Sequence, residues 1–386
     1  MFVKKNNISE SATFNSDSIY QNLLLDTSTG IIYDTEQDFK LVCNNQPKFK
    51  KINSFDEIPK EHFNNCKMEY CEDGTVIRLY YYCGWRTATN NCSNALFSKW
   101  GKNESFDSMF WELFKITDCE NLDKNMTYIF VLKYKTLQNI IEHNKSELVY
   151  ICKMSNELHL DSKDIAIDST FNINFERVSE FKNLKNPKSI DVNVVIKNND
   201  LEKCYNKYKR GILFYCFNTD DVLDCVYQYD FKYFEKINNI KNNNPNIINR
   251  FIEIYNTYLS QLNSLQNPPT EQTTKQTNSP TEQPISELRE LFENTKWDLY
   301  LYEGHYINYQ NTFRKIKNNI RTMISQVYKL YVSSHIRQQE KIDDTHKYYK
   351  TIKSIHYLYK NGTKINYSVV LQYITQLPVN IIKKLI

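Results

Sequence analysis

The tetrad Cys71-Glu72-Asp73-Gly74 places a thiol two residues before an Asp-Gly turn, with apolar runs on either side. A thiolate here could act as a nucleophile, but the adjacent carboxylates of Glu72 and Asp73 disfavour its ionisation. Lys67 is the nearest alternative amine. In an extended strand it shares the face of Cys71 but lies about 13 Å away, at ~3.3 Å per residue. Cys66, Cys71, Cys83 and Cys92 bunch here, with His62 nearby. The ten cysteines include no CxxC pair and no regular spacing, which argues against a zinc ribbon or a disulfide framework. The bunch reads as buried free thiols rather than a metal site, and no metal is assigned. His305, His335, His346 and His356 lack metal-binding partners at i, i+4, and no Gly-rich phosphate loop is present.

The elements that must position this tetrad are mostly strands. Residues 75–82, 126–134, 147–154, 191–196 and 211–217 are rich in β-branched and aromatic side chains. Residues 105–116 have helical spacing with Ser105 or Asp107 as the cap. Residues 244–266 form a second helix with Ile247, Phe251, Ile254, Tyr258, Leu262 and Leu265 along one side. Residues 266–284 hold four prolines, a repeated PTEQ and no aliphatic residue after Leu265, so they read as a flexible linker. The first 16 residues read as a disordered tail.

Beyond the linker the pattern is helical. Tyr306, Tyr309, Phe313, Ile316, Ile320, Met323, Val327 and Leu330 recur at alternating steps of three and four, the 3.5-residue period of a helix facing a partner. Residues 347–362 supply a neighbour that ends on an Asn361-Gly362 C-cap signal. The expected class is therefore α+β, with a strand-dominated domain over 17–265 and an all-α bundle over 285–386. No apolar run reaches the ~20 residues of a membrane span, and the polar N-terminus has no signal-peptide core. A reduced, cytoplasmic protein is the expectation.

Charge is unevenly distributed. Residues 304–386 carry 14 Lys and Arg against Glu340, Asp343 and Asp344, a net +11, leaving −7 for the rest of a +4 chain. This asymmetry fits contact with RNA or another polyanion, or else a solvated helical face. Arg314, Lys317, Arg321, Lys350 and Lys353 are the candidate nucleic-acid contacts, since they fall mainly off the apolar seam. The 29 Tyr and 21 Phe against 7 Gly read as compositional bias before they read as RNA-stacking surface.

The order of motifs resembles the phage-type RNA ligases of phages and large DNA viruses, within the covalent nucleotidyltransferase superfamily. The likeness runs collinearly over about 220 residues, from GIIYDTEQDFKLVCNNQPKFKKIN through EDGTVIRLYYYCGWRTATN, SFDSMFWELF and YIFVLKYKTLQNIIEH to KRGILFYCF. It implies an antiparallel-sheet, ATP-grasp-like ligase domain followed by a helical domain. It also implies a lysine nucleophile two residues before Asp-Gly, which attacks the α-phosphate of ATP. Cys71 stands at that position, ahead of Asp73 and Gly74. The upstream arginine falls at Thr29, and the Pro-Lys-Phe lysine is kept as Lys48. The central Phe-Glu becomes Phe130-Val131, and the later Glu-Gly becomes Arg210-Gly211. The lysine pair that should follow is absent, since residues 212–231 hold no Lys or Arg. Lys48, Phe130 and Arg210 are the nucleotide-binding positions that the resemblance implies.

Loss of one central catalytic group removes several powers of ten in rate, and here several are changed together. The leading expectation is a pseudoenzyme of the ligase fold that serves as a nucleic-acid-binding or scaffold subunit, in a viral factory or virion if the source is viral, with a protein partner on the helical domain. The alternatives are an active ligase with a rearranged site, using ATP and Mg²⁺, and a structural viral protein.

Overall fold

The computed structural model describes residues 2–4, 30–34, 37, 40–46, 49–63, 66–101, 103–137, 139–156, 189–190, 209–219, 223–267 and 285–386. Thr29, Lys48, residues 5–16 of the expected tail, the 191–196 strand and nearly all of the 266–284 linker lie outside them, whereas Phe2–Lys4 of that tail form a strand paired with Ile32–Asp34 and are not disordered. The chain divides into two compact units, Met1–Asn238 and Asn239–Ile386. Among the described residues no helix is long and apolar enough to cross a membrane.

The first unit contains strands β1 (Phe2–Lys4), β2 (Ile32–Asp34), β3 (Lys40–Cys43) and β4 (Phe49–Ile52), the short helix α1 (Lys60–Phe63), and β5 (Cys66–Cys71), β6 (Thr75–Tyr81) and β7 (Trp85–Thr89). Helix α2 (Phe106–Leu113) is followed by β8 (Met126–Lys133), β9 (Glu147–Ser155), β10 (Ser189–Ile190), β11 (Gly211–Phe217) and β12 (Leu223–Asp230). Among the described residues three sheets result, with orders β1-β2-β3, β10-β5-β11-β12-β4 and β7-β6-β8-β9. Every pairing is antiparallel except β12 with β4. This mixture of helices and antiparallel-rich sheets is the α+β class expected.

The apolar runs on either side of the Asp-Gly turn, β5 and β6, belong to different sheets. The Glu72-Asp73-Gly74 link carries the chain from one sheet to the other.

The four-stranded sheet is buried on both faces. Phe130, Tyr128 and Leu132 pack with Phe106, Met109 and Phe110 of α2 on one side. Ile129, Val131, Val149 and Ile151 pack on the other with Leu213, Tyr215 and Val226 of the five-stranded sheet. Ser105 caps α2 by accepting the Ser108 N–H at 3.1 Å. Arg78, wholly buried, donates to the carbonyls of Gly30, Asn44 (3.3 Å) and Thr89 (2.7 Å). Carbonyl dipoles thus satisfy most of a charge that would otherwise be costly to bury.

Helix α3 (Lys232–Lys241) runs from the first unit into the second, which holds α4 (Ile247–Gln266), α5 (Ile285–His305), α6 (Gln310–Tyr331), α7 (Tyr349–Lys360), α8 (Tyr367–Thr375) and α9 (Val379–Leu385). Helix α4 packs on α5, α6 and α8, so it belongs with the helical unit and not with the strands that precede it. Phe313, Ile316, Ile320, Met323 and Val327 of the expected seam are buried in α6, whereas Tyr306 and Tyr309 precede the helix and Tyr331 is buried at its end in place of Leu330. Helix α7 closes with Gly362 at φ +91° and the Thr363 N–H returning to Leu358 O at 3.0 Å, a Schellman-type cap.

Candidate functional site

Cys71 ends β5 and sits directly opposite Gly211, the first residue of β11. The strands crowd here. A Cβ on Gly211 would lie 2.0 Å from the Tyr229 carbonyl oxygen, so only glycine fits. Gly74 is similarly constrained, because its added Cβ would come within 2.6 Å of Leu132 O and Val131 Cγ1. Asp73 is a fastener between segments. Its Oδ2 accepts the Ile141 N–H at 2.8 Å, and its carbonyl oxygen accepts from His143 Nε2 at 2.8 Å. Burial lowers the His143 pKa, which favours the neutral ring.

A cavity of about 280 Å³ opens beside these residues, lined in part by Cys71, Glu72, Asp73, Lys133, His143 and Lys145. Its charges are largely paired. Lys133 bridges Glu72 and, at 3.6 Å, Glu147, while Lys145 also reaches Glu147 at 3.7 Å. Lys209, another lining residue, holds its ammonium 3.9 Å from the centre of the Tyr70 ring.

Cys71 itself belongs to the packed interior. It is 6% exposed and clusters with Ile129, Val131, Val149 and Leu213. Burial pushes its thiol up to about 12, against an opposing pull from Arg210 and with further upward pushes from Asp230, Asp73 and Glu72. At neutral pH it holds its proton. A protonated thiol is a poor nucleophile.

The remaining expected site residues separate. Arg210 pairs with Asp230 Oδ1 at 3.2 Å and lies over the Phe234 ring at 5.4 Å, close enough to Cys71 and Asp73 to act on them electrostatically. Phe130 requires a correction: it is fully buried against Phe110, Phe114 and Tyr150, and contacts the α2 core instead of the cavity. The strand's alternation turns Val131 toward Cys71 instead. Lys67 is exposed at the far end of β5, over the Phe217 ring at 4.9 Å, away from the cavity. Among the helical bases, Arg314, Arg321, Lys350 and Lys353 are exposed. Lys317 is half-buried, ion-paired to Glu303 and leaning on Phe251 and Tyr255.

Several carboxylates of the cavity are already engaged. A magnesium site needs free carboxylate oxygens. Here Glu72 and Glu147 hold lysines, Asp73 Oδ2 holds a backbone N–H, and Val131 and Arg210 stand where the resemblance implies acids. The sequence reading missed Lys133, Lys145 and His143. Lys133 meets Glu147 through the β8–β9 register, which sets the two directly opposite one another.

No family model matches the chain. A segment of 64 residues is 38% identical to the immediate-early protein ICP-46 homolog of Invertebrate iridescent virus 3. That match spans 17% of this chain and only 14% of the viral protein. Among solved structures, a putative ATP-dependent DNA ligase from Aquifex aeolicus is similar at TM-score 0.35 and 12% identity, over 83% of this chain and 76% of that one. An archaeal ATP-dependent RNA ligase is similar at TM-score 0.43 and 10% identity, over 72% and 69%. Likeness at these values does not extend to any site residue.

Proposed function

We propose that this protein is a ligase-like nucleic-acid-binding subunit that forms no covalent nucleotide intermediate. The observation that carries this reading is Cys71: a buried, protonated thiol stands at the position of the lysine nucleophile, packed against Val131. The binding half rests on the helical unit, where Arg314, Arg321, Lys350 and Lys353 are exposed. Tyr357 and Tyr359 of α7 are 64% and 57% exposed close in sequence to Lys353 and Lys360. Bases for the phosphates interleaved with rings for the bases suit a single strand of RNA.

The test is retention of single-stranded RNA by the full chain across a salt series, with and without ATP and Mg²⁺. The expected result is binding that weakens steeply with salt and is indifferent to nucleotide. No retention at low salt contradicts the binding half.

One observation favours a second reading, an active nucleotidyltransferase: Lys133 lines the same cavity as Asp73. Its ammonium is held between Glu72 and Glu147. An AMP adduct lost in Lys133→Ala would establish that reading.

A further inference from the structure

At the other end of β11 from Cys71 a second cluster forms, which the sequence does not reveal. Cys216 and Cys225 are direct partners across β11 and β12. His62, from α1, closes over them. Ligand atoms of the three residues all lie within 4.8 Å of one another. His62 Nδ1 is 3.5 Å from Cys225 Sγ and 3.3 Å from the Tyr227 hydroxyl. On the far side of the ring, Nε2 is 3.2 Å from Asp224 Oδ2.

The imidazole is thereby oriented. A carboxylate at Nε2 fixes the proton there and leaves the Nδ1 lone pair facing the thiols, the arrangement by which outer-shell carboxylates prepare histidine for a metal. With Zn–S near 2.3 Å and Zn–N near 2.0–2.1 Å, tetrahedral geometry sets N···S at about 3.6 Å, close to the 3.5 Å between His62 Nδ1 and Cys225 Sγ. Two thiols and one imidazole form a soft, borderline donor set that suits zinc over magnesium or calcium. Access is open, because His62 is 22% and Asp224 50% exposed at the side chain. Cys216, fully buried, forms the floor.

We infer that His62, Cys216 and Cys225 form a zinc site, with Asp224 as the positioning residue for His62. The fourth corner falls to water or to Cys66, the register partner of Cys216 on β5. The metal would tie α1 to the β11–β12 hairpin, about 17 Å along β11 from Cys71 at ~3.3 Å per residue. It is a site separate from the cavity described above.

The experiment uses the reduced full-length protein. Zinc content is measured after gel filtration, and the chelator-stripped protein is then titrated with Co²⁺ and with Zn²⁺. One equivalent per chain and a thiolate-to-cobalt charge-transfer band are expected. Cys225→Ser and His62→Ala, at partly exposed positions, should each weaken zinc binding by about 100-fold or more, and Asp224→Asn by about 10–100-fold. Cys83→Ser, in an exposed turn, should leave it unchanged. Absence of both zinc and the cobalt band in protein whose thiols titrate as free overturns the inference. So does a cobalt band that survives Cys225→Ser.

Discussion

Val131 and Cys71 pack into one buried cluster between the four-stranded and five-stranded sheets. In the ligase-like register these positions would hold a carboxylate and a lysine. Here they hold a methyl-bearing side chain and a protonated thiol in mutual apolar surroundings. Either polar group that the resemblance implies would be buried in this cluster at a cost of several kcal/mol.

Cys71 should be among the slowest thiols to alkylate in the native protein. Its thiol is pushed from an ordinary 9.0 to about 12, chiefly by burial. Iodoacetamide at pH 7.5, read by peptide mass spectrometry, should modify exposed Cys83 well before Cys71. The linkage has a definite sign. Below pH 9 both folded and unfolded chains keep the proton, and the contribution to stability is intact. As pH rises from 9 toward 12 the unfolded chain ionises first, and stability falls by up to about 1.4 kcal/mol per pH unit. Denaturant midpoints measured over that range check it.

Cys71→Lys should not restore nucleotidyl transfer. The new amine enters an apolar cluster with Val131 where an acid is needed, and Arg210 stands nearby as a repelling charge. A loss of about 2–4 kcal/mol in folding stability is expected, with no covalent AMP. Thermal unfolding and an ATP-labelling gel read the two outcomes.

Gly211→Ala should destabilise the first unit by roughly 1–3 kcal/mol, because its methyl group meets the Tyr229 carbonyl oxygen. Gly362→Ala meets no neighbour and is strained only by its φ of +91°, so its cost should be nearer 1 kcal/mol. Urea denaturation of the two variants orders them.

RNA affinity should respond to exposed charge and not to paired charge. Arg314→Gln, Arg321→Gln, Lys350→Gln and Lys353→Gln should each weaken binding, and each lost phosphate contact should flatten the log–log salt slope by about 0.7. Lys317→Gln should chiefly lower the stability of the helical unit, since that ammonium serves Glu303. Filter binding beside thermal melts separates the two classes.

Local chemistry was the most legible part of the fold. Residues 211–217 read as a strand from branched and aromatic content, and β11 has those bounds. The caps at Ser105 and Gly362 were plain as well. Parity was not legible, because β8 is buried on both faces and alternation gives no polar side to mark direction. Which of Phe130 and Val131 turns toward Cys71 is set by the sheet packing alone. The face of α4 was likewise blurred. It packs against several helices, so Tyr255, Leu259 and Asn263 are buried, while Tyr258, Leu262 and Leu265 are only half-covered. His62, Cys216 and Cys225 meet only through strand register, over a sequence gap no local pattern spans.

The most direct test of the central claim is the intact mass of the full-length protein after incubation with ATP and Mg²⁺, read by mass spectrometry. An unchanged mass is predicted, for the native chain and for Lys133→Ala alike. A magnesium-dependent gain of one AMP, mapped to Lys133, Cys71 or any other residue lining the cavity, would contradict it.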